Sequence, residues 1–148
     1  MSRSSQRLAT IIIDTREQEP YSFDPRQAAA VRRALPAGDY SVEGVEERVA
    51  VERKTLDDFV STVIHKRARF RKELRKLAGY PAACVVVEAG VLDVLVHRYS
   101  GDAHPNAVLG NALSVILDYR VPVFFCGNRP AACQFVQAYL LAAFARWG

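Results

Sequence analysis

Six residues, Val49-Ala50-Val51-Glu52-Arg53-Lys54, pass from an apolar strand straight into three charges. Alternation along a strand sends Glu52 and Lys54 to one face and Val51 and Arg53 to the other. An acid and a lysine carried inward on a valine-rich strand are costly unless they are paired or hold something charged. A fold that accepts this segment must therefore bring its end to the border between core and cleft.

The flanking sequence supplies the rest of an α/β pattern. Leu8 to Ile13 is short, apolar and β-branched, ends at Asp14, and reads as a buried strand. Thr15 to Pro25 is a polar loop. Asp24-Pro25 resembles an N-cap followed by proline in the first helical turn, which predicts a helix to about Leu35, broken by Pro36-Ala37-Gly38. Asp39–Glu43 and Arg48–Lys54 form an expected antiparallel hairpin around Gly44. Thr55 caps a helix whose first turn carries Asp57 and Asp58, running with a kink near His65 to Ala78. Its apolar stripe is Phe59, Val63, Phe70, Leu74 and Leu77.

After a turn at Gly79-Tyr80-Pro81 come a strand over Cys84–Val87, a short helix over Val91–His97 and a helix over Asn106–Tyr119. A strand over Val121–Cys126 and a C-terminal helix over Ala131–Trp147 complete the chain. On these last two helices Leu109, Leu113, Val115, Leu117, Phe135, Tyr139, Leu140 and Phe144 are expected in the core. Leu140-Leu141 and Phe144 to Trp147 also offer apolar surface for a homodimer. The order predicts one α/β domain over residues 1–148, its mixed sheet covered by helices on both faces.

Composition narrows the class. No apolar run approaches the roughly 20 residues needed to span a bilayer, and the polar start Met1 to Ser5 does not resemble a signal peptide. Cys84, Cys126 and Cys133 lack zinc-finger spacing and read as reduced thiols of a cytoplasmic protein. The net charge of +4 is unevenly spread. Between Lys66 and Lys76, seven basic residues (Lys66, Arg67, Arg69, Arg71, Lys72, Arg75, Lys76) stand against Glu73 alone, a local +6 that leaves −2 elsewhere. One basic stripe on an otherwise slightly acidic chain points to a polyanion met by one face.

Hydrolysis of a phosphodiester needs oxygen ligands for a divalent cation and an activated water. Glu52 and the Arg53 carbonyl can supply oxygens, with Lys54 beside the water or the phosphate. If the hairpin pairs, Asp39 converges on Glu52, and Asp14 at the end of the first strand can join them. Three carboxylates and a lysine suit Mg²⁺ or Mn²⁺ rather than Zn²⁺.

Gly38-Asp39, then Glu52-Arg53-Lys54, then Asp58 resembles the signature of the XPF-family nucleases, and Asp14-Thr15-Arg16-Glu17 resembles that family's first motif. The resemblance runs from about Thr10 to the last helix. It implies a restriction-endonuclease-like fold and a Mg²⁺- or Mn²⁺-dependent endonuclease cutting branched or flapped DNA, in repair or recombination. It makes Asp14, Asp39 and Glu52 metal ligands and Lys54 the catalytic lysine. Arg16, Glu17, Arg53 and Asp58 become supporting residues. The family's helical arginine corresponds to Arg67 or Arg69, and Glu73 stands near its downstream glutamine.

DNA is the expected partner, touched through backbone and shape by Lys66, Arg67, Arg69, Lys72 and Lys76. Such a protein works in the cytoplasm, at the bacterial nucleoid or in the nucleus. Many relatives carry a helicase or helix-hairpin-helix domain. Neither is recognised in this chain, so a dimer or a separate DNA-targeting partner would supply selectivity. A non-catalytic DNA-binding or scaffold module on the same fold, and a restriction enzyme or junction resolvase, stay open as alternatives.

Overall fold

The computed structural model describes residues 8–148; the polar start Met1 to Ser5 lies outside them. A mixed six-stranded sheet runs in the order β2-β1-β3-β4-β5-β6. Its strands are β1 (Ala9–Ile13), β2 (Ala28–Arg32), β3 (Tyr40–Val42), β4 (Val49–Lys54), β5 (Ala82–Val87) and β6 (Val123–Phe125). β3 is antiparallel to both β1 and β4, whereas β1–β2, β4–β5 and β5–β6 are parallel. The helices are α1 (Leu56–His65), α2 (Arg67–Ala78), α3 (Val91–Leu95), α4 (Pro105–Tyr119) and α5 (Arg129–Trp147). Among the described residues, no helix is long and apolar enough to cross a membrane.

The two faces of the sheet carry separate cores. Ala50, Ala83, Val85 and Val87 pack against α1, α2 and α4 through Phe59, Leu74, Leu77 and Val115. Val49, Val51, Cys84 and Val86 pack against α5 through Ala132, Val136 and Leu140. Even-numbered side chains of β4 therefore face α1 and α2 and odd-numbered ones face α5, the alternation expected for Glu52 and Arg53.

Four expectations need correcting. The segment after Pro25 is not a helix to Leu35. Asp24 does start one turn, its carbonyl accepting from the N–H groups of Gln27 and Ala28, but the chain then straightens into β2. There Ala28 to Arg32 pair in parallel with all of β1. The alanines favour a helix locally; the open ladder of β1 outweighs that preference. Leu113 and Leu117 are not core: α4 buries Val108, Ala112 and Val115 and leaves those two leucines 45% and 68% exposed. Leu140 is fully buried, so it offers no surface to a second copy. The kink near His65 is a break, with Lys66 ending α1 and opening α2.

Gly38 governs how the chain enters β3. It adopts φ +75°, and a Cβ there would lie 3.0 Å from the Val51 carbonyl oxygen and 3.2 Å from the Ala50 Cβ. Only glycine takes this left-handed turn directly against a neighbouring strand. Replacing it with alanine combines backbone strain with a clash against main chain and should cost about 1–3 kcal/mol. For a domain of this size that lowers Tm by roughly 2–12 °C. Gly44 has φ +96° but open space around it, so Gly44→Ala should lose less; melts of both variants followed by circular dichroism give the comparison.

Candidate active site

Two strand registers build the site. Ile13 stands opposite Tyr40 across β1 and β3, and Tyr40 opposite Val51 across β3 and β4. Carried one residue further, these registers set Asp14 opposite Asp39 and Asp39 opposite Glu52. Adjacent strands lie about 4.8 Å apart, so three acids form a row across one end of the sheet. The Asp14 N–H donates to the Asp39 carbonyl at 2.8 Å, in keeping with the first pairing. The Asp39 N–H instead reaches the Val51 carbonyl at 2.8 Å, one residue short of Glu52, and the strands are held there by the Arg53 N–H on Asp39 Oδ2. Asp14, Asp39 and Glu52 line one cleft of about 210 Å³ with Arg16, Glu73 and Lys76.

The acids differ in their surroundings. Burial works to raise the Asp14 carboxyl, but Arg16 and the N–H groups of Leu35 and Arg16 outweigh it and hold it below the ordinary range. Arg16 Nε reaches Asp14 Oδ2 at 2.7 Å and the Leu35 N–H reaches Oδ1 at 2.8 Å, so both oxygens are engaged. Asp39 accepts the Arg53 N–H on Oδ2 at 2.7 Å, yet burial pushes its carboxyl up. Glu52 is pushed further up by burial and by Asp39. Lys54 Nζ stands 3.4 Å from Glu52 Oε2, the pairing its spacing predicts. Because the Arg53 N–H points toward Asp39, its carbonyl lies on the same side of the strand.

The opposite face of β4 carries a denser network. Arg53 reaches Glu17 through Nε at 2.8 Å and Nη2 at 3.0 Å, and Glu88 through Nη1 at 3.1 Å. Glu88 also accepts from Arg129 at 3.2 Å and from the Tyr21 hydroxyl. The side chains of Arg53, Glu17 and Glu88 are each less than a tenth exposed. Glu17 and Arg53 thus pair with each other on the face of β4 behind the cleft. Glu88 and Arg129 were not singled out from the sequence. Glu88 carries the same signal that exposed Asp14 and Glu52, an acid directly after an apolar strand, whereas nothing local marks Arg129.

The basic helix divides its charges. Lys66 and Arg69 line a pocket with Lys54, Thr62, Phe70 and Glu73, and Lys76 borders the acidic cleft. Arg67 instead faces a groove toward α4 with Arg71, Asn111 and Asp118, while Lys72 is exposed beside neither pocket. Asp58 does not join the site; it is exposed in the first turn of α1, where Thr55 Oγ1 accepts its N–H at 3.1 Å.

The row of acids is not a gathered ligand set. Among the described residues, no three His, Cys, Asp or Glu side chains stand close enough to hold one ion. Arg16 and Leu35 hold Asp14 away from such a role. The donor chemistry does suit a hard divalent cation, since the cleft offers carboxylates and neither imidazole nor thiolate.

Two outcomes follow for the metal-free protein. An acid whose folded-state pKa is raised loses stability as pH climbs from its unfolded value, about 4.3 for glutamate, through the folded one. Glu52→Gln should therefore melt higher than wild type at pH 8, by a few degrees for each kcal/mol relieved. The gain should vanish as pH falls to about 4, which melts across that range would register. Arg53→Met leaves Glu17 and Glu88 buried without their cation and should cost about 3–5 kcal/mol in chemical denaturation.

Comparison with known proteins gives the family of this chain. The ERCC4 domain family profile matches residues 13–139. A protein of Methanocaldococcus jannaschii named as an ATP-dependent RNA helicase, MJ1505, is 34% identical over 118 residues, covering 80% of this chain and 14% of that protein. XPF from Aeropyrum pernix superposes with a TM-score of 0.70 at 22% identity, over 93% of this chain and 66% of that one. The same protein in complex with DNA gives 0.69 at 22% identity, over 93% and 66%. The chain thus spans a small part of the first relative and about two thirds of the solved structures, and it shares with the latter a mixed sheet flanked by helices. With its profile match running from the end of β1 into α5, the chain belongs to the ERCC4 domain family, that of the XPF-type nucleases.

Proposed function

We propose that this chain is a Mg²⁺- or Mn²⁺-dependent DNA endonuclease acting on branched, flapped or junction DNA. The observation that carries the reading is the row Asp14–Asp39–Glu52 across β1, β3 and β4, with Lys54 beside it and a basic helix along its rim. Family membership supports it.

In this reading a bound Mg²⁺ or Mn²⁺ polarises the phosphate and lowers the pKa of a water. Asp39 and Glu52 would hold the ion with the Arg53 carbonyl, and Asp14 would join them by exchanging Arg16 or Leu35 for it. Lys54, released from Glu52, would donate to a phosphate oxygen or orient the attacking water. Arg53 keeps the strand end fixed through Glu17 and Glu88. Lys66, Arg69 and Lys76 hold the DNA backbone next to the cleft, with Arg67 and Lys72 as outlying contacts. Binding through phosphates alone leaves selectivity to a second copy of the chain or to a DNA-targeting partner on the last two helices. Leu113 and Leu117 are exposed there.

The test is cleavage of labelled branched substrates with Mn²⁺. Wild type should cut and EDTA should stop it. Glu52→Ala and Asp39→Ala should remove cleavage while leaving binding largely intact. Lys66→Ala/Arg69→Ala should weaken binding, lowering the log–log salt slope by about 0.9 for each phosphate left without its cation. The engaged Asp14 and the ungathered carboxylates favour one second reading, a non-catalytic DNA-binding or scaffold module. Absence of cleavage with any divalent metal, together with unaltered binding in the acid variants, would decide for it. Cleavage that survives in Glu52→Ala/Asp39→Ala would move the site elsewhere.

A further inference from the structure

Arg129 stands at the wrong end of its helix for a cation. It is the first residue of α5, whose opening turn carries no acid, so its charge meets the positive end of the helix dipole. The partners that offset this placement come from outside the helix. Arg129 Nη1 donates to Glu88 Oε2 at 3.2 Å and Nη2 to the Glu19 carbonyl at 2.7 Å. Its guanidinium carbon lies 4.7 Å from the centre of the Tyr21 ring. One side chain thus joins α5 to the loop after β1 and to the residue that follows β5.

A count of charges shows what Arg129 does there. Two carboxylates, Glu17 and Glu88, lie behind the end of β4 with Arg53 between them, all three side chains less than a tenth exposed. Arg53 commits Nε and Nη2 to Glu17 and has Nη1 left for Glu88. One guanidinium cannot neutralise two buried carboxylates, and a buried charge left over is costly. Arg129 supplies the second cation. Without it, Glu88 would draw Arg53 away from Glu17. Such a shift would be felt in the strand, because the Arg53 N–H donates to Asp39 Oδ2 at 2.7 Å and the Glu88 N–H donates to the Lys54 carbonyl at 2.9 Å. The network is therefore tied to the main chain of the segment that carries Glu52 and Lys54.

We propose that Arg129 is a positioning residue for the acidic cleft. By neutralising Glu88 it leaves Arg53 on Glu17, and so fixes the end of β4 that presents Glu52 and Lys54 beside Asp39. Its consequence for cleavage rests on the reading of that cleft as a nuclease site; its hold on Arg53 does not. α5 is thereby coupled to a cleft that none of its own residues lines.

Amide hydrogen exchange followed by NMR on metal-free, DNA-free protein tests this without reference to cleavage. Arg129→Met should speed exchange of the Arg53 N–H by about tenfold. It should leave the Val85 N–H, bonded to the Pro122 carbonyl, at the wild-type rate. Arg129→Lys, which keeps the charge and loses the fork, should lie between, and it carries the same comparison if circular dichroism shows Arg129→Met unfolded. Adding Arg129→Met to Glu88→Gln should change the Arg53 rate no further than Glu88→Gln alone, since no carboxylate is left to neutralise. With Mn²⁺ and saturating branched DNA, Arg129→Met should cut about tenfold more slowly than wild type at unchanged DNA affinity. Arg53 and Val85 exchanging faster together would reveal lost global stability alone and overturn the assignment. So would an Arg53 rate equal to wild type, or an undiminished effect of Arg129→Met in the Glu88→Gln background. Wild-type cleavage by a variant whose Arg53 N–H does exchange faster would sever Arg129 from the cleft. Absence of cleavage by wild type would overturn the nuclease reading, while exchange at Arg53 would still decide the role of Arg129.

Discussion

The charged end of the sheet follows from a register. Because β3 runs antiparallel between β1 and β4, the residue that leaves β1, the one that enters β3 and the one near the end of β4 fall side by side. All three are acids. Gly38 makes this possible by turning so tightly against Val51 that any side chain would touch main chain, which sets Asp39 at the head of β3. A slip of one residue in either pairing would send Asp39 or Glu52 to the face covered by α5, where Val51 and Tyr40 pack. The alternation that buries the valines is thus the same one that opens the carboxylates to the cleft.

Much of the site was legible in the sequence because its residues break local rules. An acid after Ile13 or after Val51 is out of keeping with an apolar strand, and glycine before Asp39 marks a turn. The placement of Glu52 and Lys54 on one face and Arg53 on the other followed from strand period alone. The failures have a common physical origin: they lie where a distant partner decides. Ala28 to Arg32 become a strand through pairing with β1, which no local preference reveals. Leu113 and Leu117 lie outside the narrow stripe by which α4 meets its neighbours, a matter of helix packing rather than composition. Arg129 matters only because α5 begins beside Glu88.

The division of charge on α2 bears on how such a domain meets a polyanion. A stripe of six cations on one helix, with Lys66 at its cap, suggests a single adhesive face, but the helix is round and its neighbours differ. Lys66 and Arg69 meet Lys54, Lys76 meets the acidic cleft, and Arg67 and Arg71 look toward α4. The first group can place a phosphate next to the acidic cleft. The others can only lengthen the contact, and their attraction is screened by salt beyond about 10 Å.

The network behind the site also says something about how the molecule reaches its final form. Glu17, Arg53, Glu88 and Arg129 come from four parts of the chain, and Arg129 lies 110 residues from the Glu19 carbonyl that it also touches. Joining such distant segments carries a large loop-closure cost, and contacts of this separation slow a folding reaction. The sheet centre and the α1–α2 pair can form from nearer neighbours. The end of β4 is clamped only once the amino-terminal loop and α5 have both docked, so the segment that carries Glu52, Arg53 and Lys54 is among the last to be locked in place.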